Sequence, residues 1–288
     1  MSSTPPPVLL SIGGADSGGC YGVLADLRVW THLGAHGTCA FTVITAQNSR
    51  TISAAAPLDQ DLVAAQIEAV LVDFPVVGVK TGMLGRVEVV EVVAALAAAG
   101  RLPNLVVDPV LVDRHSRPLF SEAVVRAYRD LLLPRAALVT PNRPEAALLG
   151  LLDGGPCPVL ITGGRRAGSS GDRLRDPPTG ERDRDRDVDV DVDVDGDVDS
   201  GMDSDMVDEL IEGSARRALT HPRVATNNVA GSGDVLSAAI TFGLGTQVPL
   251  VHAVGRAIDL VVAGLRAGAG HRLGEGPGPP DLRGGSLI

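Results

Sequence analysis

Short apolar runs alternate along this chain with longer segments of helical spacing, and nearly every apolar run ends in glycine or polar residues. VLLSIGG (8–14), CAFTVITA (39–46), VVGVKTGML (76–84), LVVDPVL (105–111), ALVTPN (137–142) and PVLITGG (158–164) read as strands. Between them, GVLADLRVWTHLG (22–34), DQDLVAAQIEAVLVDF (59–74), EVVEVVAALAAAG (88–100), SEAVVRAYRDLLL (121–133) and PEAALLG (144–150) read as helices. Ser121 stands as the N-cap of the fourth helix, and Pro144 opens the fifth. Unbroken apolar runs, as opposed to alternating ones, belong to strands covered on both faces. The pattern predicts an α/β fold, a mostly parallel central sheet with helices on both faces. Ligands of such sheets sit outside the carboxyl ends of the strands. GGADSGG, TAQN, KTGML, VDPV, TPNRPE and TGGR fall at those ends, and six in sequence predict one shared cleft.

The rhythm breaks once. Residues 172–209 hold 16 Asp and Glu against 5 Arg, a net of −11 in a chain whose total is −10. The remainder is therefore close to neutral. No basic stripe marks a nucleic-acid surface. The segment RDRDRDVDVDVDVDGDVDSGMDSD reads as a solvated, disordered insert at about 168–206, because a strand of alternating Asp would line one face with carboxylates. Asp191, Asp193, Asp195, Gly196 and Asp199 follow the early spacing of a calcium loop, but Met202 stands where its bidentate Glu belongs. Beyond the insert, MVDELIEG and RALTHPRVAT read as two strands joined by a turn. Two helices follow, VLSAAITFGLG and 249–268. The Pro/Gly-rich end, about 272–288, reads as a mobile tail. The three cysteines, Cys20, Cys39 and Cys157, form neither a disulfide framework nor a zinc pattern. No window approaches the ~20 apolar residues of a membrane span, and no basic leader precedes VLLSIGG. These features predict one cytoplasmic domain over 1–288.

The stretch NNVAGSGDVLSAAI (227–240) carries the most chemistry. A Gly-Ser-Gly turn, Gly231–Ser232–Gly233, leads into a helix whose third residue is Asp234. A helix start offers free backbone N–H groups and a positive dipole end, so it suits an anion. An aspartate there either caps the helix or takes a proton beside a bound phosphate.

Read together, several stretches resemble one family. SIGGADSGGCYGVLADL (11–27), LGAHGTCAFTVITAQNSR (33–50), VKTGMLG (79–85), VDPVL (107–111), LLPRAALVTPNRPEAALLG (132–150) and THPRVATNNVAGSGDVLSAA (220–239) occur in the order seen in the hydroxymethylpyrimidine/phosphomethylpyrimidine kinases of thiamine biosynthesis, which have a ribokinase-like fold. The resemblance implies ATP-dependent phosphorylation of an aminopyrimidine alcohol, and of its monophosphate as a second activity, with ATP and Mg2+ as cofactors. It implies a small-molecule partner, no nucleic acid or membrane, and allows a homodimer. It implies that Gln47 and Asp26 recognise the pyrimidine and that Gly14, Met83 and Val110 line its pocket. It implies that Asn142, Glu145, Thr162 and Arg165 face ATP and magnesium, with Glu145 reaching the ion directly or through water. Asp234 is then the base, and Gly231, Ser232 and Gly233 form the anion-binding turn. A side-chain amide such as Gln47 can both donate to and accept from an aminopyrimidine edge, and Met packs adaptably on a flat ring.

The chain departs from that family at several points. Asp234 stands where these kinases usually carry Cys, as it does in the wider ribokinase-like group. Thr162–Gly163–Gly164 replaces a Lys-Gly-Gly element. The His usual before the turn is absent, and the link from Gly150 to Pro158 is too short for a further helix. Two alternatives therefore stay open, a pyridoxal or pyridoxine kinase of the same fold and a non-catalytic pyrimidine-binding regulator.

Overall fold

A computed structural model describes residues 5–113, 115–165 and 205–283; the side chain of Arg165 falls outside that description. The acidic run and its calcium-like spacing also lie outside it. One sheet of nine strands organises the described residues, in the order β3-β2-β1-β4-β5-β6-β7-β8-β9. β1 (Val8–Asp16), β2 (His36–Gln47), β4 (Val76–Thr81), β5 (Val106–Val107), β6 (Leu138–Val139) and β7 (Val159–Arg165) pair in parallel. β3 (Ile52–Pro57) at one end, and β8 (Met206–Glu212) and β9 (Ala215–His221) at the other, pair antiparallel. The mostly parallel sheet expected from the alternation is thus present.

Period-two alternation along the strands explains how both faces fill. Val107, Val139, Val159 and Ile161 join the core beneath α2 (Gln60–Asp73), α3 (Val87–Ala98), α4 (Glu122–Ala127) and α5 (Arg143–Leu149). Val106, Leu138 and Leu160 face the other way, toward α1 (Gly22–His32), α6 (Ser232–Gly245) and α7 (Leu250–Gly268). Leu9 shares this second face, so Ser11, two residues on, shares it too. Ser11 lies beside Lys80 in the β1–β4 register. Asp108, two residues beyond Val106, continues the row. Trp30 on α1 is fully buried, and its indole donates to the carbonyl of Ala238 on α6 at 2.9 Å, which fixes these two helices against each other.

Local departures have local causes. β3 lacks the signature of a strand, since Ala54–Ala55–Ala56 carries little β-propensity and Pro57 ends it. It exists because edge strands tolerate both. The fourth helix does not run unbroken over 121–133. After Ala127 it widens into a π turn (Tyr128–Leu132) and closes as a 3-10 turn (Leu133–Arg135) around Pro134. The π turn brings the buried hydroxyl of Tyr128 to Gly82 and Leu84, accepting from the Leu84 N–H at 3.2 Å and donating to the Gly82 carbonyl at 3.3 Å. Ser121 occupies the N-cap position, but its hydroxyl makes no capping bond. The insert ends earlier than 206, because Met206 already pairs in β8.

The tail, read as mobile, is held over its described length. Asp281 donates to the Gly264 carbonyl at 2.9 Å and Gly278 donates to Asn228 at 2.8 Å. Its Pro and Gly residues form no element of their own, but Asn228 before α6 and Gly264 on α7 supply the partners. No helix among the described residues is long and apolar enough to cross a membrane.

Candidate active site

The row Ser11, Lys80, Asp108 on one sheet face meets a carboxylate from each of the two helices covering it. Lys80 is fully buried, and its ammonium lies 2.6 Å from Asp26 Oδ1 on α1 and 2.8 Å from Asp234 Oδ1 on α6. Asp108 Oδ2 stands 3.9 Å away. Asp26 completes its set by accepting from the Ser11 hydroxyl at 2.6 Å. The Ser237 hydroxyl, one turn into α6, lies 3.0 Å from Asp108 Oδ2, 2.8 Å from the Gly233 carbonyl and 3.3 Å from the Asp234 carbonyl, so three acceptors compete for its proton.

One cation among three acids sets the charge balance. Lys80 is held well above its ordinary range: burial alone would lower it, but Asp234, Asp26 and Asp108 together outweigh that. Burial pushes Asp108 up to about 8 against the pull of Lys80, with the Asp234 and Glu145 charges adding to the rise. Burial also lifts Asp26 to about 6, although Lys80 and Ser11 oppose it. Three acids around one lysine crowd negative charge, and proton uptake relieves it, most of all at Asp108, whose side chain is 13% exposed.

The Gly-Ser-Gly turn sits directly beside this cluster. Gly231 has φ +70°, and a Cβ there would lie 1.9 Å from the Cys20 carbonyl, so only glycine fits. Ser232 donates its N–H to Val229 at 3.1 Å. Its N–H is thus spent, and among the described residues the N–H groups of Gly233 and Asp234 meet no acceptor. Gly233 is exposed, and the space where its Cβ would be is open. Asp234 spends Oδ1 on Lys80, while Oδ2 meets no donor among the described residues.

Asp26 needs correcting as a pyrimidine-recognising residue. It is 1% exposed, and both its oxygens are engaged by Lys80 and Ser11. It pairs with the same lysine that holds Asp234. At Gln47, Thr45 donates to Oε1 at 3.1 Å, and the NH2 meets no acceptor among the described residues. Gly14 packs against Val43 at a register shift in β1, where a Cβ would come within 3.0 Å of that side chain. Met83 is half-buried, its carbonyl accepting from Thr42 at 2.6 Å. Val110 has φ +44°, a strained conformation for a β-branched residue that persists only where its surroundings hold it. These residues lie at the carboxyl ends of the neighbouring strands β2, β1, β4 and β5.

Beyond β6, Asn142 and Thr162 meet across a parallel bridge, and the Thr162 N–H donates to the Pro141 carbonyl at 2.9 Å. Arg165 ends β7 opposite Met206. Glu145 forms a capping box with Asn142 and also accepts from the Leu111 N–H at 2.8 Å. Burial raises its pKa, and the backbone donors restrain the rise. Each of its oxygens already holds a backbone N–H. Asp108, which sequence reasoning passed over inside VDPV, has one oxygen with no donor among the described residues. Lys80 was missed as well, although a lone charge inside the apolar run VVGVKT was a visible signal. Among the described residues no cluster of three or more acids, His or Cys could hold a metal by itself.

A carboxylate held by a buried lysine, beside backbone N–H groups at a helix start, suits phosphoryl transfer to a bound alcohol. Comparison with known proteins agrees with that class. Residues 16–176 and 191–281 match the phosphomethylpyrimidine kinase family, and the chain belongs to it. It is similar to a hydroxymethylpyrimidine/phosphomethylpyrimidine kinase of Streptomyces coelicolor, 35% identical over 96% of this chain and 94% of that one. In structure it is similar to the pyridoxal kinase of Bacillus subtilis in its ADP complex, with a TM-score of 0.76 and 25% identity over 96% of this chain and 97% of that one. It is also similar to the phosphomethylpyrimidine kinase of Clostridium difficile 630, with a TM-score of 0.66 and 25% identity over 89% and 98%.

Proposed function

We propose that this protein transfers the γ-phosphoryl group of ATP to the hydroxymethyl group of 4-amino-5-hydroxymethyl-2-methylpyrimidine, and in a second turnover to the resulting monophosphate, in thiamine biosynthesis. The observation that carries the reading is Asp234: one oxygen is fixed by buried Lys80, while the other, and the N–H groups of Gly233 and Asp234 beside it, meet no partner among the described residues. The substrate oxygen forms a bond to the γ-phosphorus as the bond from that phosphorus to the β,γ-bridging oxygen breaks. The hydroxyl proton passes to Asp234 Oδ2, and ADP leaves. The two N–H groups hold the transferring phosphoryl oxygens at the positive end of α6. Gln47 donates its amide to the ring edge, and Met83 and Val110 pack the ring faces.

Magnesium fits the donor set. Asp108 Oδ1 has no donor among the described residues, Glu145 could act through water, and ATP oxygens would complete a shell that protein groups alone do not fill, with the ion displacing the proton that burial holds on Asp108. When bound there, the ion supplies neutralisation of phosphate charge. A cytoplasmic setting and a homodimer also belong to this reading.

The test is ATP consumption by the purified protein with magnesium, comparing the pyrimidine, its monophosphate and pyridoxal. Turnover on the pyrimidines is expected, and Asp234→Asn should reduce it by about 10²-fold or more with little change in pyrimidine affinity. The likeness to pyridoxal kinases favours a second reading, phosphorylation of pyridoxal at the same site. A kcat/KM for pyridoxal above that for both pyrimidines would select it.

A further inference from the structure

The C-terminal segment touches both ends of the candidate site, and one buried amide joins it to the anion turn. Asn228 is 8% exposed, and its side chain is fully committed. Its NH2 donates to the carbonyls of Gly268 and His271, each at 2.7 Å, and its Oδ1 accepts from the Gly278 N–H at 2.8 Å. The Gly278 carbonyl in turn accepts from the Ala230 N–H at 3.1 Å. Gly278 is thus clasped on both sides by residues 228 and 230, immediately before Gly231 opens the turn. A Cβ on Gly278 would come within 2.9 Å of Asn228 Oδ1, so the clasp leaves no room for a side chain.

A few residues earlier the same segment lies against the β2–β3 turn that follows Gln47. Gly276 donates to the Ser49 hydroxyl at 3.0 Å, and Arg50 pairs with Glu275. A Cβ on Gly276 would lie 2.1 Å from the Ser49 carbonyl. Beyond the clasp, Asp281 ties the chain to Gly264 on α7.

We infer that Asn228 is a positioning residue for phosphoryl transfer: through Gly278 it fixes the turn that presents the Gly233 and Asp234 N–H groups. The inference rests on the reading of that turn as the phosphoryl-binding element. Asn228 touches none of the reacting atoms in this role. The turn before Gly231 has no regular structure to hold it, and Gly231 itself brings no side chain to brace it. An amide is suited to the task because it donates twice and accepts once in a single plane.

The test uses the full chain with Asn228→Ala and, separately, Gly278→Ala, which keeps the amide but crowds it. Two measurements are made on each: steady-state kinetics with hydroxymethylpyrimidine, ATP and magnesium, and calorimetric binding of hydroxymethylpyrimidine and of a non-hydrolysable ATP analogue. The expected result is a kcat about 10-fold or more below wild type and ATP-analogue affinity weakened severalfold in both variants. Pyrimidine affinity should stay within about 2-fold, at full stoichiometry. An unchanged kcat and unchanged analogue affinity would overturn the inference. So would loss of pyrimidine binding in parallel with turnover and folded fraction, which is the mark of a structural role only. If the wild-type protein shows no turnover, the kinase reading fails by itself, and the analogue affinities still decide the positioning role. Failure of wild type to bind the analogue at all would overturn both.

Discussion

Lys80 places a full charge in the middle of an apolar strand, and its surroundings show why that is tolerated. Desolvating an ammonium costs several kcal/mol unless its partners are close and themselves bonded. Asp26 and Asp234 supply those partners within 2.8 Å. Lys80→Met should therefore strand two buried carboxylates, costing about 3–5 kcal/mol. A urea titration would report this as a lower midpoint, and turnover should fall because Asp234 loses the bond that aims it. An unchanged midpoint would show that the cluster is solvated. Gln47→Ala should weaken pyrimidine binding far more than ATP binding, measured by calorimetry; equal weakening would remove its recognition role. The acids also give a pH signature. Asp26 and Asp108 hold protons to about 6 and about 8 in the folded chain, while the unfolded chain releases them near ~4. Between those limits the native state binds more protons, so these two groups make stability fall as pH rises from roughly 4 to 8. Asp108→Asn should flatten the upper part of that slope when urea midpoints are compared at pH 5 and pH 8. A slope identical to wild type would contradict the raised Asp108.

At the scale of elements, the site depends on how helix ends meet strand ends. The start of α6 is usable because Gly231 can approach the Cys20 carbonyl, in the turn that Asp16 shapes by accepting from Gly18, Cys20 and Tyr21. Gly231→Ala puts a Cβ into that carbonyl at a φ that disfavours a side chain. Loss of turnover together with a lower melting temperature is expected, read by activity and thermal melts on one preparation. A fully active variant would show that the turn can move without consequence. Much at this scale could be read beforehand. Unbroken apolar runs announced the parallel strands, and Asn142–Glu145 announced a helix start. The capping box then showed that Glu145 spends its oxygens on backbone N–H groups. β3 and the π turn at Tyr128 were not legible, because pairing at a sheet edge and a hydroxyl's distant partner leave no periodic trace in sequence.

For the whole molecule, Trp30 is the contact that carries α1 against α6, and with them Asp26 and Asp234. Trp30→Ala removes a fully buried indole and its bond to Ala238, for a cost of about 3–5 kcal/mol. The sequence by itself determined the alternation of strand and helix, the family and the glycine turn, because these follow from local spacing and from motifs contiguous in the chain. It also marked Asp234 and Gln47 as candidates. Only the tertiary structure decided that Asp26 pairs with Lys80, that Asp108 keeps its proton to about 8, and that the tail is clasped by Asn228. Those roles depend on which groups face one another across residues 26, 80, 108 and 234. Charge pairing and desolvation act through space, over a few ångströms, whatever the separation along the chain.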